Sequence, residues 1–165
     1  MALQIRQMDM KDIMGVVAIV RQEMHCTDNS SDIYDRVMRM YRDENYTIFV
    51  AEQEGTVIGF AGGMRSLAFE REGDFVRVLA LSVRKEYDGS GVETQLMGRV
   101  EDDALGRGAY AIVINSGLKR GDFHAFCSNM GYEKSGYSFV KPLPRDREPS
   151  MSYHDIFAPI PHREG

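Results

Sequence analysis

The chain has 165 residues, of which 43% are hydrophobic and 27% are charged, and its formal net charge at pH 7 is -5. A chain of this length can bury enough apolar surface for one hydrophobic core, whereas two cores would each be undersized. The composition excludes disordered and fibrous proteins, and the negative charge argues against nucleic acid as a partner because phosphate binding needs a basic face.

The first part of the sequence predicts a strand followed by two helices. Residues 3–8 alternate apolar and polar side chains as a half-buried strand does, and Asp9 follows as a helix cap. Apolar residues then recur at helical spacing over residues 13–24, which indicates an amphipathic helix. After a polar loop, a second helix is indicated by the spacing of Ile33, Val37 and Tyr41.

The middle of the sequence predicts a hairpin and a central strand. Residues 46–51 and 57–64 are two predicted strands, and Glu54 and Gly55 form the turn between them. After a charged turn, residues 75–83 are rich in β-branched and aliphatic side chains. That composition is typical of a strand buried on both faces.

The last predicted elements are a helix, a parallel strand, a second helix and a closing strand. The first of these helices opens after Gly91, and the parallel strand covers residues 109–114. The second helix covers residues 121–130, and the closing strand covers residues 133–140.

We expect one domain over residues 1–141 and an extended tail over residues 142–165, which hold all five prolines. Cys26 and Cys127 are far apart, with no CxxC pair and no secretory leader, so the reducing cytoplasm is the expected compartment. No apolar stretch approaches the length of a membrane span, so we expect no membrane partner.

A glycine-containing loop, Tyr87, Asp88, Gly89, Ser90, Gly91, lies between the central strand and the following helix. Backbone N–H groups at a helix N-terminus bind phosphate, and glycine permits close approach. Nucleotide-binding patterns are absent, since there is no GxxxxGK[ST] run and no GxGxxG after the first strand. The loop is therefore a candidate phosphate site, and an ordinary strand-to-helix turn is the alternative interpretation.

The wider pattern resembles the GNAT superfamily of acyl-CoA-dependent N-acyltransferases over about residues 3–141. Residues 79–92 are similar to that family's bulged fourth strand and pyrophosphate loop. The fifth strand, the helix beside the acyl-CoA thioester and the closing strand are matched by Asn115, Ser116, Arg120, His124, Phe126, Gly131, Tyr132 and residues 137–141. The resemblance implies an α/β fold with a mixed sheet of six to seven strands flanked by about four helices.

The resemblance also implies acetyl-CoA as co-substrate and no metal. The pantetheine arm would lie between the fourth and fifth strands, and the pyrophosphate would lie on the loop amides. The implied cofactor-binding residues are Leu81, Ser82, Val83, Asp88, Gly89, Ser90, Gly91, Val92, Glu93, Thr94, Asn115 and Arg120. A substrate amine would attack the thioester directly, and a protonated group would return a proton to the departing thiolate.

Three residues are candidates for the catalytic role. Cys127 occupies the helix position where the family often has a tyrosine acid, and His124 lies three residues earlier on the same helical face. Tyr137 is a candidate substitute for the missing tyrosine. Structural roles remain open for all three, and reading His124 and Cys127 as metal ligands lacks two further partners.

The loop departs from the family pattern, which reads Gln or Arg, two residues, Gly, one residue, then Gly or Ala. Those places hold Asp88, Gly91 and Glu93 here, so two acids face the expected diphosphate site. Cations at positions 84, 85, 119 and 120 could compensate: Arg84, Lys85, Lys119 and Arg120.

Two functions follow from these observations. The first is an N-acetyltransferase that transfers the acetyl group of acetyl-CoA to a primary amine of a small molecule or a protein. The alternative is a catalytically impaired binding or regulatory domain of the same fold, because fold alone does not guarantee activity. Dimers are common among the relatives, and the apolar residues 156–160 could contribute to a homodimer.

Overall fold

A computed structural model of the chain describes residues 2–116 and 121–144. The described residues fall into two compact units, one that ends at Ile114 and one that begins at Asn115. Within the described residues, no helix is both long and apolar enough to cross a membrane.

The first unit contains a five-stranded sheet whose strands lie in chain order. Neighbouring strands are antiparallel except for the last pair, which is parallel. The strands are β1 (Gln4–Gln7), β2 (Tyr46–Gln53), β3 (Thr56–Leu67), β4 (Asp74–Val83) and β5 (Ala111–Ile114).

The hairpin between β2 and β3 has the predicted turn. Glu54 and Gly55 have φ angles of 52° and 77°, as a two-residue turn with left-handed central residues requires. Gln53 pairs directly with Thr56, so these two residues close the hairpin.

Three helices cover the two faces of this sheet. They are α1 (Ile13–Gln22), which follows a single 3-10 turn, α2 (Ser30–Arg42) and α3 (Val92–Gly106). The buried cluster around α1 and α2 includes Val50 and Phe60 of the sheet. On α3, Arg99 lies 4.9 Å from the ring of Phe49, the neighbour of Val50 on β2. Successive residues of a strand face opposite ways, so α3 packs on the other face.

The second unit contains α4 (Gly121–Asn129). Its C-terminus is closed by the Tyr132 N–H, which donates to the Cys127 carbonyl at 2.9 Å, and by the Gly131 N–H, which donates to the Ser128 carbonyl at 3.0 Å. Gly131 has a φ angle of 90°. This double bond pattern with a left-handed glycine is a Schellman motif, and it explains why the helix ends here.

The prediction of a closing strand over residues 133–140 is wrong, because these residues form no helix or strand. Their alternating pattern suits a strand, but a strand also needs a neighbouring edge with which to pair. Tyr137 and Phe139 are instead 80% and 94% exposed. The described sheet accordingly has five strands, fewer than the six to seven expected, while the mixed α/β architecture is confirmed.

The predicted boundary between a domain and a tail at residue 141 stays a prediction. Residues 142–144 have no regular secondary structure. Residues 145–165, including the apolar residues 156–160, lie outside the described residues.

Candidate active site

Strand β4 changes its pairing at one residue. Gly62 of β3 pairs with Ala80, and Gly63 pairs with Val78, so Leu79 is an extra residue on β4. This arrangement is a β-bulge, which bends the strand and re-aims the backbone beyond it. Leu79 itself is 46% exposed, as an unpaired bulge residue can be.

The bulge coincides with the end of the parallel pairing. β5 pairs with β4 only over Phe75 to Val78, and Val78 faces Ile114, the last residue of β5. Beyond the bulge residue, residues 80–83 remain paired with β3 on their other side. In the described part of the chain, this stretch of β4 therefore presents one backbone edge with no strand partner.

The sequence after β4 forms a compact turn that leads into α3. A 3-10 turn covers Lys85–Tyr87, and the Asp88 N–H donates to the Lys85 carbonyl at 3.0 Å. The Ser90 N–H donates to the Tyr87 carbonyl at 3.1 Å, and its hydroxyl donates to the same carbonyl. Hydrogen bonds within the turn thus fix its shape and do not involve the amides at the start of α3.

Glycine is required at two positions of this turn. Gly89 and Gly91 have φ angles of 75° and 86°, in the left-handed region that side chains with a Cβ rarely adopt. Apart from each glycine and its chain neighbours, no atom of the described residues lies within 4 Å of the place where a Cβ would stand. The backbone around both residues is therefore open to a ligand.

The N-terminus of α3 lacks a cap from a side chain. Gly91 is the N-cap residue and makes no side-chain hydrogen bond, and the Gln95 N–H is the first to donate back to it, at 3.1 Å. The amides of Val92, Glu93 and Thr94 precede that bond and have no partner within the helix. An uncapped N-terminus of this kind, at the positive end of the helix dipole, suits an anion.

The charges around this loop are mixed. Asp88 is exposed and Glu93 is half-buried in the first turn of α3, so both acids remain close to the open amides. Lys85 is exposed, whereas Arg84 is half-buried and bonded elsewhere. The other two predicted compensating cations, Lys119 and Arg120, lie outside the described residues.

Arg84 and Lys85 join the start of the loop to the end of α1. The Arg84 Nε donates to the Val57 carbonyl at 3.1 Å, and its Nη1 donates to Gln22 Oε1 at 3.2 Å. The Lys85 N–H faces Glu23 Oε1 at 3.3 Å. Sequence reasoning missed these contacts because no local pattern relates residues that stand 62 positions apart.

The cofactor-binding predictions on β4 and the loop fall within one continuous segment. Leu81 is half-buried, and Ser82 and Val83 are buried, with 9% and 7% of their surface exposed. The remaining predicted residues run from the exposed turn into the first turn of α3: Asp88, Gly89, Ser90, Gly91, Val92, Glu93 and Thr94.

The other predicted site residues belong to the second unit. The Asn115 side-chain amide donates to the Ser138 hydroxyl. His124 and Cys127 are half-buried on α4, and their spacing places them on one side of that helix. Tyr137 is exposed on the segment without regular structure. Their catalytic roles remain predictions, as does the role of Arg120.

A surface pocket of about 540 Å³ lies between α1 and the loop that leads to α2. Its lining includes Met14, Arg21 and Gln22 of α1, and Cys26 and Ser30 beyond it. The Arg21 guanidinium donates to the Ser30 hydroxyl at 2.9 Å across this pocket.

Comparisons with solved structures identify the fold. An acetyltransferase from Trypanosoma brucei is 17% identical with a TM-score of 0.75, and the alignment covers 86% of this chain and 100% of that one. The aminoglycoside N-acetyltransferase AAC(6')-Iy, solved with a CoA bisubstrate analogue, is 15% identical with a TM-score of 0.77, covering 88% and 100%. Glucosamine-6-phosphate N-acetyltransferase from Arabidopsis thaliana is 18% identical with a TM-score of 0.71, covering 87% and 100%.

Sequence comparison identifies the family. No curated protein matches the chain significantly. The sequence profile of the acetyltransferase (GNAT) family, however, matches residues 14–132, which include α1 from its second residue, α2 to α4 and strands β2 to β5. The chain therefore belongs to the GNAT family and is an acyltransferase of that family.

Proposed function

We propose that this protein is an N-acetyltransferase that transfers the acetyl group of acetyl-CoA to a primary amine. One observation carries the proposal: the edge of β4 over residues 79–83, which has no strand partner among the described residues, leads within one turn to the uncapped N-terminus of α3. A free strand edge suits the amides of a pantetheine arm, and an uncapped helix N-terminus suits a diphosphate. Acetyl-CoA carries both groups in one molecule.

The binding roles follow from this placement. The amides of Val92, Glu93 and Thr94, together with the left-handed glycines, would bind the diphosphate. Backbone groups near Leu81 and Val83 would bind the pantetheine amides on the side of β4 that faces away from β3. We assign Asn115 and Arg120 to the same ligand on the strength of the family resemblance.

The proposed reaction is direct transfer. The nitrogen of the neutral amine attacks the thioester carbonyl, a C–N bond forms, and the C–S bond breaks as the thiolate departs. The amine loses its proton to a base or water, and a protonated group returns one to the thiolate. Cys127 is our candidate for that acid, with Tyr137 as its substitute and His124 beside Cys127 on α4.

The acceptor is proposed to be a small-molecule amine or a protein amino group. AAC(6')-Iy and the glucosamine-6-phosphate enzyme, by their names, acetylate amines of small molecules. The pocket between α1 and α2 is our candidate for the acceptor site of this chain. Neither Cys26 nor Cys127 forms a disulfide, which fits the proposed cytoplasmic location.

The test combines binding with turnover. Titration calorimetry of the purified full chain with acetyl-CoA measures binding, and release of free CoA thiol over a panel of amines measures transfer. We expect binding, and thiol release above the background rate with at least one amine. Acetyl-CoA that neither binds nor reacts would refute the proposal.

The acids of the loop favour a second candidate, a binding or regulatory domain that has lost activity. An acid about 5 Å from a phosphate oxygen costs about 3 kcal/mol at an effective dielectric constant near 20, before screening. The double substitution Asp88→Gln with Glu93→Ala should therefore raise acetyl-CoA affinity about 10-fold. Asp102→Asn, an exposed acid in the second half of α3, is the matched control and should leave the affinity unchanged.

The two candidates differ in what the double substitution does to turnover. For the enzyme, tighter binding is accompanied by thiol release with the same amines as the parent protein. For the regulatory domain, acetyl-CoA binds, but no amine on the panel releases thiol in either protein.

A further inference from the structure

We infer that Arg84 is a positioning residue that fixes the diphosphate-binding loop to the C-terminal end of α1. The inference rests on the proposed function for its effect on acetyl-CoA, but the contact itself is independent of any ligand. Arg84 is the residue between the last residue of β4 and the 3-10 turn that begins the loop. Its position therefore decides where the loop starts.

The contacts hold Arg84 from three directions. Its backbone N–H donates to the Ile58 carbonyl at 2.8 Å, which extends the pairing of β4 with β3 by one residue. Its Nε donates to the Val57 carbonyl at 3.1 Å, and its Nη1 donates to Gln22 Oε1 at 3.2 Å. Only a guanidinium, with donors in a rigid fork, can make both side-chain bonds at once.

The neighbouring contact points to the same helix end. The Lys85 N–H, the first amide of the 3-10 turn, bonds to Glu23 Oε1 at 3.3 Å. Gln22 is the last residue of α1 and Glu23 is its C-cap. A cation is also favoured at this end of a helix by the dipole, which stabilises Arg84 where it lies.

This geometry gives Arg84 a role different from that of a phosphate ligand. Sequence reasoning counted Arg84 among the cations that could offset Asp88 and Glu93. The structure instead directs its Nε and Nη1 donors to β3 and α1. Gln22 also lines the pocket between α1 and α2, so the contact connects that pocket with the loop.

Hydrogen exchange measured by mass spectrometry tests the contact without any ligand. Arg84→Ala and Gln22→Leu should both speed exchange of the amides of residues 85–94, and residues of α2 should be unchanged. Gln22→Glu retains the acceptor oxygen and should exchange like the parent protein. Gln22 is exposed, so its variants should fold even where Arg84→Ala does not.

Calorimetry with acetyl-CoA tests the consequence. Loss of a hydrogen bond to a charged group predicts about 10-fold weaker binding for Arg84→Ala and about 3-fold for Gln22→Leu. Gln22→Glu should bind as the parent protein does, and Arg84→Lys should bind as poorly as Arg84→Ala because a single ammonium cannot span both acceptors. Arg107→Ala, which removes the same charge at the other end of α3, should have no effect.

Two results would overturn the inference. Exchange of residues 85–94 at the parent rate in both Arg84→Ala and Gln22→Leu would show that the contact does not position the loop. Full affinity in Arg84→Lys and Gln22→Leu, with loss only in Arg84→Ala, would show that the charge contacts the diphosphate. A parent protein that fails to bind acetyl-CoA refutes the proposed function, and the exchange experiment still decides the inference.

Discussion

The N-termini of α2 and α3 differ in whether a side chain accepts a hydrogen bond from their first amides. Each helix begins with amides that have no partner in the helical ladder. In α2 the Asn29 Oδ1 accepts from the Asp32 N–H at 2.8 Å, so a side chain of the protein satisfies the helix end. In α3 the N-cap is Gly91, which has no side chain and makes no such bond.

The 3-10 turn that precedes α1 also begins with a hydrogen bond to a side chain of the protein. The Asp12 carboxylate, whose side chain is 5% exposed, accepts from the Asp9 N–H at 2.8 Å in the 3-10 turn before α1. The Arg6 guanidinium donates to both oxygens of this carboxylate, at 2.6 and 2.9 Å. Side chains of the protein thus form hydrogen bonds at the start of α2 and at the start of the 3-10 turn before α1, whereas Gly91 offers none at the start of α3. This difference supports the proposal that an anionic ligand, rather than a side chain, binds at the start of α3.

The largest effect is expected when a carboxylate is introduced at the N-cap of α3. Gly91→Asp places an acid among the open amides, and we expect acetyl-CoA binding to weaken about 100-fold, or about 3 kcal/mol. The left-handed φ of 86° adds strain of about 1 kcal/mol to the folded protein. Calorimetry measures the affinity, and thermal denaturation shows that the variant is folded.

Gly91→Asn is the matched control for that substitution. Asparagine has the same shape, tolerates the left-handed region and carries no charge. It should retain more affinity than Gly91→Asp. Equal loss in both variants would mean that space rather than charge excludes the ligand, and unchanged affinity in Gly91→Asp would show that the loop is not the diphosphate site.

Removing the Asp12 carboxylate, in the 3-10 turn before α1, should lower the stability of the protein and leave ligand binding unchanged. The hydrogen bonds from Arg6, and then that from the Asp9 amide, hold the pKa of Asp12 below its usual 3.8, while burial opposes them. Because the folded pKa is lower than the unfolded one, the native state binds fewer protons, and this stability is present above about pH 4 and lost as the pH falls further. Asp12→Asn should lower the free energy of unfolding by about 2 kcal/mol at pH 7.

Urea denaturation at several pH values checks this expectation. The difference between the parent protein and Asp12→Asn should shrink as the pH falls below about 4. Asp28→Asn, which breaks an exposed ion pair with Arg36, is the control and should change stability by less than about 1 kcal/mol. A difference between parent and Asp12→Asn that is constant with pH would contradict the assigned role of the Asp12 charge.

The smallest expected effect is at α2. Asn29→Ala removes the cap and should cost about 1 kcal/mol of stability, because the Asp32 amide loses its acceptor. Acetyl-CoA affinity should be unchanged. A loss of affinity in this variant would show that the two helix ends are not independent, and the comparison between them would need revision.

Local patterns in the sequence were sufficient to predict most elements of the first unit. The turn at Glu54 and Gly55, the helix after Gly91 and the strand that ends at Val83 lie where the periodicity and the glycines indicated. The reason is that side-chain period, turn chemistry and helix punctuation act over a few residues. The family resemblance supplied the bulged strand, which the pairing of Gly62 and Gly63 with β4 now locates at Leu79.

Two predictions from the sequence were wrong because each depended on a contact with a distant part of the chain. Residues 133–140 have a strand-like pattern but form no strand, since pairing depends on a neighbouring edge that no local pattern specifies. Similarly, Arg84 was counted as a cation for the phosphate site. Its actual partners, Val57 and Gln22, lie far away in the chain.

The sequence by itself determined where the helices begin, which of them a glycine leaves uncapped, and which stretch of strand precedes that glycine. These properties are local, because they depend on the residues within one turn of each boundary. Tertiary structure alone decided which residues of β4 pair with β5, namely Phe75 to Val78 and none beyond the bulge, and that Arg84 ties the loop to α1. Both depend on strands and helices that come together only when the chain folds, so no neighbouring residue in the sequence encodes them.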